Sequence, residues 1–399
     1  MNVYLHDQLT QALLAEMASG YYHQGDRFLS HRKICQQWKV SDTTAEKSIH
    51  WLQRNHLIEA KARSGNLLLS GFRHRALLLL HQRNISGLPA DATWRTKRFS
   101  LARGQTNVYR IACIFSGKVH MEVSSKIPTY FDESETQCAQ GFFAKAQESG
   151  SRVEFYVHNE KPEGFQYVIE QILRNPPDGV AVFRRGFFSN LSPMINPLVA
   201  ARIPVVTVFD DCNQTDVLSV TINNVALGYE VARRFISHGH RRIAVLIQDE
   251  PFDYFTDRFE GCRLAIEEKG NGGIALEKLV MPASRQVPRR LLKLFKSPEM
   301  RPTALLATRV DLFERLLPSL KRLGVRIPGD LSVVTVLGKQ TSKLKLDCMF
   351  IDFHRMGALA MEKLQGLIEG SVTDRSVVQR ADYLRAGTLE RYQRGGERS

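Results

Sequence analysis

Apolar residues recur at helical spacing over the first part of the chain. Four of them lie four positions apart and therefore share one face of a predicted first helix: Leu5, Leu9, Leu13 and Met17. Ser30 is placed to cap a second helix over residues 32–38. The inward positions of that helix are Ile34, Cys35 and Trp38. This pattern predicts two helices joined by the turn at Gly25-Asp26.

A third helix and a hairpin complete this pattern. Ser41 can cap a helix over residues 42–54, which turns Ala45, Ile49 and Leu52 toward the core. A basic hairpin begins at Leu57-Ile58 and turns near Ser64-Gly65. Two short helices around a tight turn, followed by a hairpin, predict an α+β winged helix-turn-helix over residues 1–70. That arrangement places one helix in a DNA major groove.

From residue 110 onward, short β-branched runs alternate with helical stretches such as 137–148, 226–238 and 258–269. Nine runs are predicted strands: RIACIF, RVEFYV, GVAVF, IPVVTVF, SVTIN, RRIAVLI, LEKLVM, TALLAT and LSVVTVL. This alternation predicts doubly wound parallel sheets. Nine strands predict two such sheets, hence a two-lobed α/β domain over residues 110–390 with a ligand cleft at the carboxyl ends of its strands.

Positive charge concentrates between the two predicted domains. The chain carries a formal net charge of +14, and residues 71–110 hold eight Lys/Arg against Asp91 alone. With Gly87, Pro89 and Gly104 and little apolar periodicity, residues 71–109 are predicted to be a basic linker. A basic linker can contact DNA phosphates or act as a solvated tether. Residues 391–399 are expected to be a C-terminal tail.

Several classes of site are absent from the sequence. The six cysteines form no CxxC pair, so neither a zinc framework nor a disulfide scaffold is expected, and we predict no metal site. His238 and His240 sit in the GHRR turn, where a structural role is expected. No phosphate-binding loop, HExxH or Gly-x-Ser-x-Gly motif occurs, so we expect no catalysis and no cofactor. No signal peptide or membrane span is predicted, so the protein is expected to be cytoplasmic.

The first 70 residues resemble the gluconate-repressor (GntR) family of bacterial regulators. The matching elements are Gly25-Asp26-Arg27, Ser30-x-Arg32, Val40-Ser41-x-Thr43-Thr44, Leu52, Leu57-Ile58 and Gly65. The resemblance implies that DNA is contacted by Arg32, Ser41, Thr43, Thr44 and Gly65. This chain departs from the family pattern at Asp42 and Glu46, where arginines are common. A carboxylate opposes phosphate binding, although it can accept from cytosine N4.

Basic residues around these positions are candidate phosphate contacts. They are Lys33, Lys39, Arg54, Lys61 and Arg63, and Lys47 lies toward the exposed start of the third helix. The DNA-binding candidates are therefore Arg32, Lys33, Ser41, Asp42, Thr43, Thr44, Glu46, Lys47, Arg63 and Gly65.

Residues 110–390 resemble the effector-binding domain of the lactose/galactose-repressor (LacI/GalR) family, which is related to periplasmic sugar-binding proteins. The motifs, in family order, are IPVV, SVTINN with Gly228, GHRRIAVL, Arg258-x-x-Gly261, RPTALLA, GVRIPGDLSVV, Met356-Gly357 and YLRAGTL. The resemblance implies that the chain crosses between the lobes three times and that the domain forms a side-by-side dimer. A winged helix joined to this domain resembles the arabinose-repressor type of chimera.

The effector chemistry implied by that resemblance is altered in this chain. Arg258 matches the family arginine that binds ligand hydroxyls, but Arg309-Val310 replaces an Asn-Asp pair and Leu337 replaces an acid. Asp210 and Asp211 are candidate acceptors. If Arg258 and Arg309 both face the cleft, an anionic effector such as a sugar acid or phosphate is expected. A neutral ligand and a sensor without a ligand are the alternatives.

These patterns together predict a DNA-binding transcriptional regulator, a repressor that binds a palindromic operator as a homodimer and responds to a small effector. Two alternatives stay open. One is a cytosolic solute-binding or protein-interaction module with a vestigial winged helix, and the other is a constitutive DNA-binding protein with an inert sensor domain. A steep salt dependence with preference for one DNA sequence favours the regulator.

Overall fold

The computed structural model describes residues 5–18, 22, 24–61, 65–82, 108–116, 133–158, 161–183, 191–209, 217–249, 253–269, 273–282, 286–337, 344–372 and 376–392. The chain divides into two compact units. The first unit comprises Met1–Ile222 and Phe353–Gln379, and the second comprises Asn223–Asp352 and Arg380–Ser399. The chain therefore passes between the units three times, as the resemblance to the lactose/galactose repressors implied.

The helices of the described residues are α1 Leu5–Ala18, α2 His31–Trp38, α3 Asp42–Arg54, α4 Phe72–Gln82, α5 Glu133–Glu148, α6 Pro162–Arg174, α7 Ser192–Ala200, α8 Asn224–Ser237, α9 Asp253–Glu268, α10 Arg289–Lys296, α11 Val310–Arg322 and α12 Phe353–Glu369. The strands are β1 Ile58–Lys61, β2 Gly65–Leu68, β3 Arg110–Ser116, β4 Arg152–His158, β5 Gly179–Phe183, β6 Val205–Phe209, β7 Val217–Ile222, β8 Arg242–Gln248, β9 Ala275–Met281, β10 Ala304–Ala307, β11 Ser332–Leu337, β12 Asp347–Phe350, β13 Ser376–Gln379 and β14 Asp382–Leu384.

We call residues 5–82 the N-terminal module; it contains α1 to α4 and the antiparallel pair β1–β2. The three helices predicted here are present. The side chains of Ser30 and Ser41 accept from backbone N–H groups in the first turns of α2 and α3, as their positions predicted. The module has its own apolar core, whose members include Leu9, Leu13, Met17, Phe28, Ile34, Ala45, Leu52 and Leu68.

The predicted linker over residues 71–109 is wrong at its start, because α4 belongs to the N-terminal module. Phe72 and Ala76 are buried in the module core, Leu79 packs against it, and α4 contacts α1. These three residues follow the i, i+4, i+7 spacing of one helix face. The basic charge of this stretch hid that apolar face in the sequence. Residues 83–107, which hold most of the predicted linker, lie outside the described residues.

Each unit contains one six-stranded sheet. In the first unit the strand order is β13-β7-β6-β5-β3-β4, and every pair is parallel. In the second unit the order is β14-β12-β11-β10-β8-β9, and only the β12–β14 pair is antiparallel among the described strands. All nine predicted strands are present. Three further strands were not predicted from the sequence, namely β12, β13 and β14, and each is only three or four residues long.

A crossing of two helices through paired glycines recurs in both units. In the second unit, a Cβ on Gly228 would lie 1.9 Å from the Arg258 carbonyl oxygen, and one on Gly261 would lie 2.0 Å from that of Val225. In the first unit, Gly141 and Gly357 allow the same close approach of α5 and α12. The glycines of the resembling motifs therefore serve helix packing, because any side chain would force the helices apart.

Candidate functional site

The start of α3 is a polar surface held by a cap. The Ser41 hydroxyl accepts from the Thr44 backbone N–H at 3.3 Å and lies 2.8 Å from the Thr44 hydroxyl. Asp42, Thr43, Glu46 and Lys47 are exposed, as is Ser41, whereas Thr44 is half-buried. The opposite face of α3 is buried through Ala45, Ser48 and Leu52. The first two turns of α3 therefore present side chains to solvent from a fixed helix.

The other DNA-binding candidates lie on α2 and at the hairpin. Arg32 and Lys33 are exposed in the first turn of α2, which Ser30 caps. Gly65 is exposed, begins β2 and has a φ of 78°, a conformation that favours glycine. Arg63 lies outside the described residues.

A buried hydroxyl pair, which the sequence analysis missed, holds α3 against α1. Ser48 is fully buried, and its hydroxyl donates to the His6 carbonyl oxygen at 3.1 Å. Thr10, also buried, places its hydroxyl 3.1 Å from that of Ser48. Ser48 lies three residues after Ala45, so its inward position could have been derived from the helical period. Its partners on α1 could not, because they lie about 40 positions away.

A second cluster of polar side chains, which was not predicted from the sequence, joins α2 to the start of α3. The Cys35 thiol donates to Asp42 Oδ1 at 3.4 Å, and His31 Nδ1 lies 3.5 Å from the same oxygen. His31 Nε2 lies 3.0 Å from the backbone carbonyl oxygen of Asp42. Burial and the neighbouring Asp42 raise the pKa of the Cys35 thiol. Asp42 stands where the resembling family commonly has an arginine, and its carboxylate therefore has partners within the module.

In the second unit, Arg258 lies at the carboxyl edge of the sheet and is 6% exposed. Its Nε donates to Asn224 Oδ1 at 3.0 Å, and its Nη1 donates to the Thr308 carbonyl oxygen at 2.5 Å. The guanidinium lies 4.9 Å from the centre of the Tyr254 ring. The sequence leaves open a salt bridge of Arg258 to Asp257 or Glu260, and in the structure Glu260 pairs with Arg263 at 2.6 Å.

Arg309 lies one residue beyond Thr308 and is half-buried. Its guanidinium forms a two-point ion pair with Asp311, at 2.9 and 3.0 Å, and Nη1 donates to Gln248 Oε1 at 3.2 Å. Gln248 ends β8 and Thr308 follows β10, and these strands are parallel neighbours. The structure therefore brings Arg258 and Arg309 to one edge of one sheet. Asp210 and Asp211 lie outside the described residues, and Leu337 is buried.

Other residues of the resembling motifs are structural. His240 is buried, with Nδ1 3.1 Å from the Thr303 hydroxyl and Nε2 3.0 Å from the Glu390 carbonyl oxygen. Burial lowers the pKa of His240 to about 4. Asp347, fully buried, accepts from the backbone N–H groups of the YLRAGTL segment at Ala386, Gly387 and Leu389. Burial, together with the Asp347 carboxylate, raises the pKa of Tyr383 to about 12.

The C-terminal part of the chain is similar to known proteins. Residues 232–386 match the periplasmic binding protein-like domain. The regulator DegA of Bacillus subtilis is 26% identical over 162 residues, which are 39% of this chain and 46% of DegA, so the chain spans less than half of that relative. The regulator GntR of Escherichia coli K12 is 23% identical over 272 residues, covering 65% of this chain and 78% of the relative.

Solved structures of transcription regulators share the fold. CcpA of Lactococcus lactis aligns with a TM-score of 0.53 and 19% identity, covering 71% of this chain and all of that structure. A LacI family regulator of Enterococcus faecium with bound ribose gives 0.55 and 16%, with the same coverage. The chain thus carries a periplasmic-binding-protein-like domain with LacI-family structural neighbours, as its motifs predicted. The Escherichia coli relative has the same name, GntR, as the family that the first 70 residues resemble. It does not support the predicted GntR-type module, because these relatives are of the LacI type. No helix in the described ranges is long and apolar enough to cross a membrane.

Proposed function

We propose that the protein is a transcriptional regulator, a repressor whose N-terminal module is a winged helix-turn-helix. The observation that carries this proposal is the exposed polar start of α3, held on a separate apolar core and followed by the β1–β2 hairpin. The relatives and structural neighbours named above are transcription regulators, which supports the same function. We infer binding rather than catalysis, with no cofactor.

In this function α3 is the recognition helix and enters the major groove by its N-terminal turns. Thr43 is the exposed side chain of the first turn best suited to contact a base edge, since its hydroxyl can donate or accept. Glu46 can accept from cytosine N4, and Arg32, Lys33 and Lys47 supply phosphate or guanine contacts. Gly65 lies at the wing, where Arg63 is a further candidate phosphate contact.

The regulator acts as a homodimer in this proposal. Two copies of α3 would contact half-sites about 34–36 Å apart, or a multiple of that distance, on a palindromic operator. Binding-site selection from sheared DNA of the source organism, with the purified full chain at ~150 mM salt, tests this. The expected result is an enriched palindrome. No enrichment from a folded protein would overturn the proposal and favour a solute-binding module with a vestigial winged helix.

We place the effector site at the carboxyl edge of the second unit's sheet, with Arg258 and Arg309 as its cations. Asn224 and Gln248 hold these guanidinium groups and add polar atoms to the same edge. An anion would exchange with Asp311 at Arg309, and this favours an anionic ligand such as a sugar acid or phosphate. The effect on DNA affinity is limited by the difference in effector affinity between the two states.

One observation favours a second candidate, a constitutive DNA-binding protein with an inert sensor domain. Asp311 already neutralises Arg309, as an effector anion would. Isothermal titration of the full chain with neutral and acidic sugars separates the two. Binding of acidic sugars that weakens at least tenfold in Arg309→Gln supports the effector site. Tight binding of a neutral sugar alone contradicts the anionic effector, and no binding of any sugar favours the inert sensor.

A further inference from the structure

The cluster of His31, Cys35 and Asp42 unites an imidazole nitrogen, a thiol sulfur and a carboxylate oxygen. Cys35 Sγ lies 3.4 Å and His31 Nδ1 3.5 Å from Asp42 Oδ1, and the sulfur and nitrogen are 4.0 Å apart. His31 and Cys35 are four residues apart on α2 and therefore share one face. Asp42 is the first residue of α3, fixed by the Ser41 cap. The helices α2 and α3 therefore bring a histidine, a cysteine and an aspartate, three types of potential metal ligand, close together.

These separations suit a tetrahedral transition-metal ion. Zinc bonds of about 2.0–2.3 Å at tetrahedral angles place neighbouring ligand atoms about 3.3–3.6 Å apart. Two of the three separations lie in this range, and the third, at 4.0 Å, is slightly wider. The His31 side chain is 40% exposed and that of Asp42 is 88% exposed, so water can reach a fourth position and the side chains can adjust.

The hydrogen bonding of His31 provides a second, independent observation. Its Nε2 lies 3.0 Å from the backbone carbonyl oxygen of Asp42, which can only accept, so Nε2 carries the hydrogen. In the neutral ring, Nδ1 then carries a lone pair directed at the cluster. Metal-binding histidines commonly hold their second ring nitrogen on a carbonyl in this way. The backbone of α3 therefore orients the histidine as a ligand.

We propose that His31, Cys35 and Asp42 bind a divalent transition-metal ion of the zinc type, with water as the fourth ligand. The Cys35 thiol, which donates to Asp42 without the metal, becomes a thiolate on binding, and its proton is released to solvent. The bound ion joins α2 to α3 and neutralises the carboxylate at the start of α3.

A consequence for DNA binding follows, and it rests on the proposed function. A carboxylate at the start of a recognition helix repels phosphates, and the metal removes that repulsion. The metal-bound protein is therefore expected to bind its operator more tightly than the metal-free protein.

Cobalt titration of the metal-free full chain tests the site directly. One equivalent of Co²⁺ is expected to give a thiolate-to-cobalt charge-transfer absorption in the near ultraviolet, which Zn²⁺ abolishes. Cys35→Ser should lose this absorption, while His31→Gln and Asp42→Asn should weaken Co²⁺ affinity at least tenfold. His50→Gln, which alters an exposed histidine of α3 outside the cluster, is the control and should bind as the parent does. No absorption in the parent, or an unchanged one in Cys35→Ser, would overturn the proposal.

A second readout keeps the test independent of DNA and of misfolding. Trp38 and Trp51 lie within the N-terminal module, so tryptophan fluorescence follows its thermal unfolding. Zn²⁺ should raise that unfolding temperature in the parent and leave it unchanged in Cys35→Ser, since only the native cluster binds. Operator affinity measured with and without Zn²⁺ then tests the consequence for DNA. Metal binding without any DNA binding would contradict the proposed function while the metal site stands.

Discussion

The N-terminal module and the second unit hold their candidate functional side chains in opposite ways. On α3, Thr43, Glu46 and Lys47 are exposed on a helix whose other face is buried. In the second unit, Arg258 is 6% exposed and donates to groups of the sheet edge. A large polyanion such as DNA contacts exposed side chains, whereas a small ligand binds to side chains whose orientation the protein already fixes. We therefore expect substitutions of the exposed α3 residues to change binding with little effect on stability, and substitution of the buried Arg258 to reduce stability as well.

The tryptophans allow this contrast to be measured in one chain. All three, Trp38, Trp51 and Trp94, precede the second unit, so their fluorescence reports on the N-terminal part of the chain. Far-ultraviolet circular dichroism reports on the helices of the whole chain. Urea unfolding followed by both signals therefore separates an effect on the second unit from one on the N-terminal module.

The largest expected loss of stability is at Gly261. Its substitution by Ala places a Cβ 2.0 Å from the Val225 carbonyl oxygen, so α8 and α9 must separate. We expect a cost of about 3 kcal/mol or more in the second unit. The matched control is Gly329→Ala, whose Cβ would make only ordinary contacts at 3.7 Å or more. Equal circular-dichroism midpoints for the two variants would contradict the packing role of Gly261.

The next effect depends on pH and comes from His240. Its folded pKa of about 4 lies below the unfolded value of 6.5, so the unfolded chain binds the extra proton between these pH values. Its contribution is therefore complete above pH 6.5 and falls as the pH drops toward 4, by about 3 kcal/mol at most. His240→Asn should flatten the dependence of the circular-dichroism midpoint on pH in this window. The same slope in parent and variant would contradict the burial of a neutral His240.

A smaller loss is expected at Arg258. Its replacement by Met keeps the aliphatic volume but leaves Asn224 and the Thr308 carbonyl without their donor, at a cost of about 2 kcal/mol. Arg309→Met is the matched control, since that partly exposed ion pair should contribute under about 1 kcal/mol. If Arg309→Met destabilises the second unit more than Arg258→Met does, the stabilising role assigned to the buried hydrogen bonds of Arg258 is wrong.

Sequence reasoning succeeded where the signal is local. The caps Ser30 and Ser41 and the nine predicted strands depend on neighbouring residues alone, and the structure has them where they were predicted. It failed where the signal is distant or masked. The apolar face of α4 was hidden by the surrounding charge, and β14 is too short to show a period.

The candidate functional residues divide in the same way. The exposed face of α3 follows from the helical period, because Ala45 and Leu52 fix the inward side. The partners of Arg258 and Asp42, and the Gln248 partner of Arg309, depend on how separate elements pack. The sequence carries no local record of that packing. The cluster of His31, Cys35 and Asp42 was therefore missed, although the i, i+4 spacing of its first two members was visible.

The smallest effect on stability is expected at Thr43. The same residue gives the most direct test of DNA recognition by α3. Thr43→Ala should leave the tryptophan-fluorescence midpoint within about 0.5 kcal/mol of the parent, because the side chain is exposed. The measurement to make is fluorescence anisotropy of the full chain on its selected operator and on scrambled DNA. We expect Thr43→Ala to lose about 1–3 kcal/mol of preference for the operator and to keep its affinity for scrambled DNA. An unchanged preference for the operator would contradict the claim that the start of α3 reads the DNA sequence.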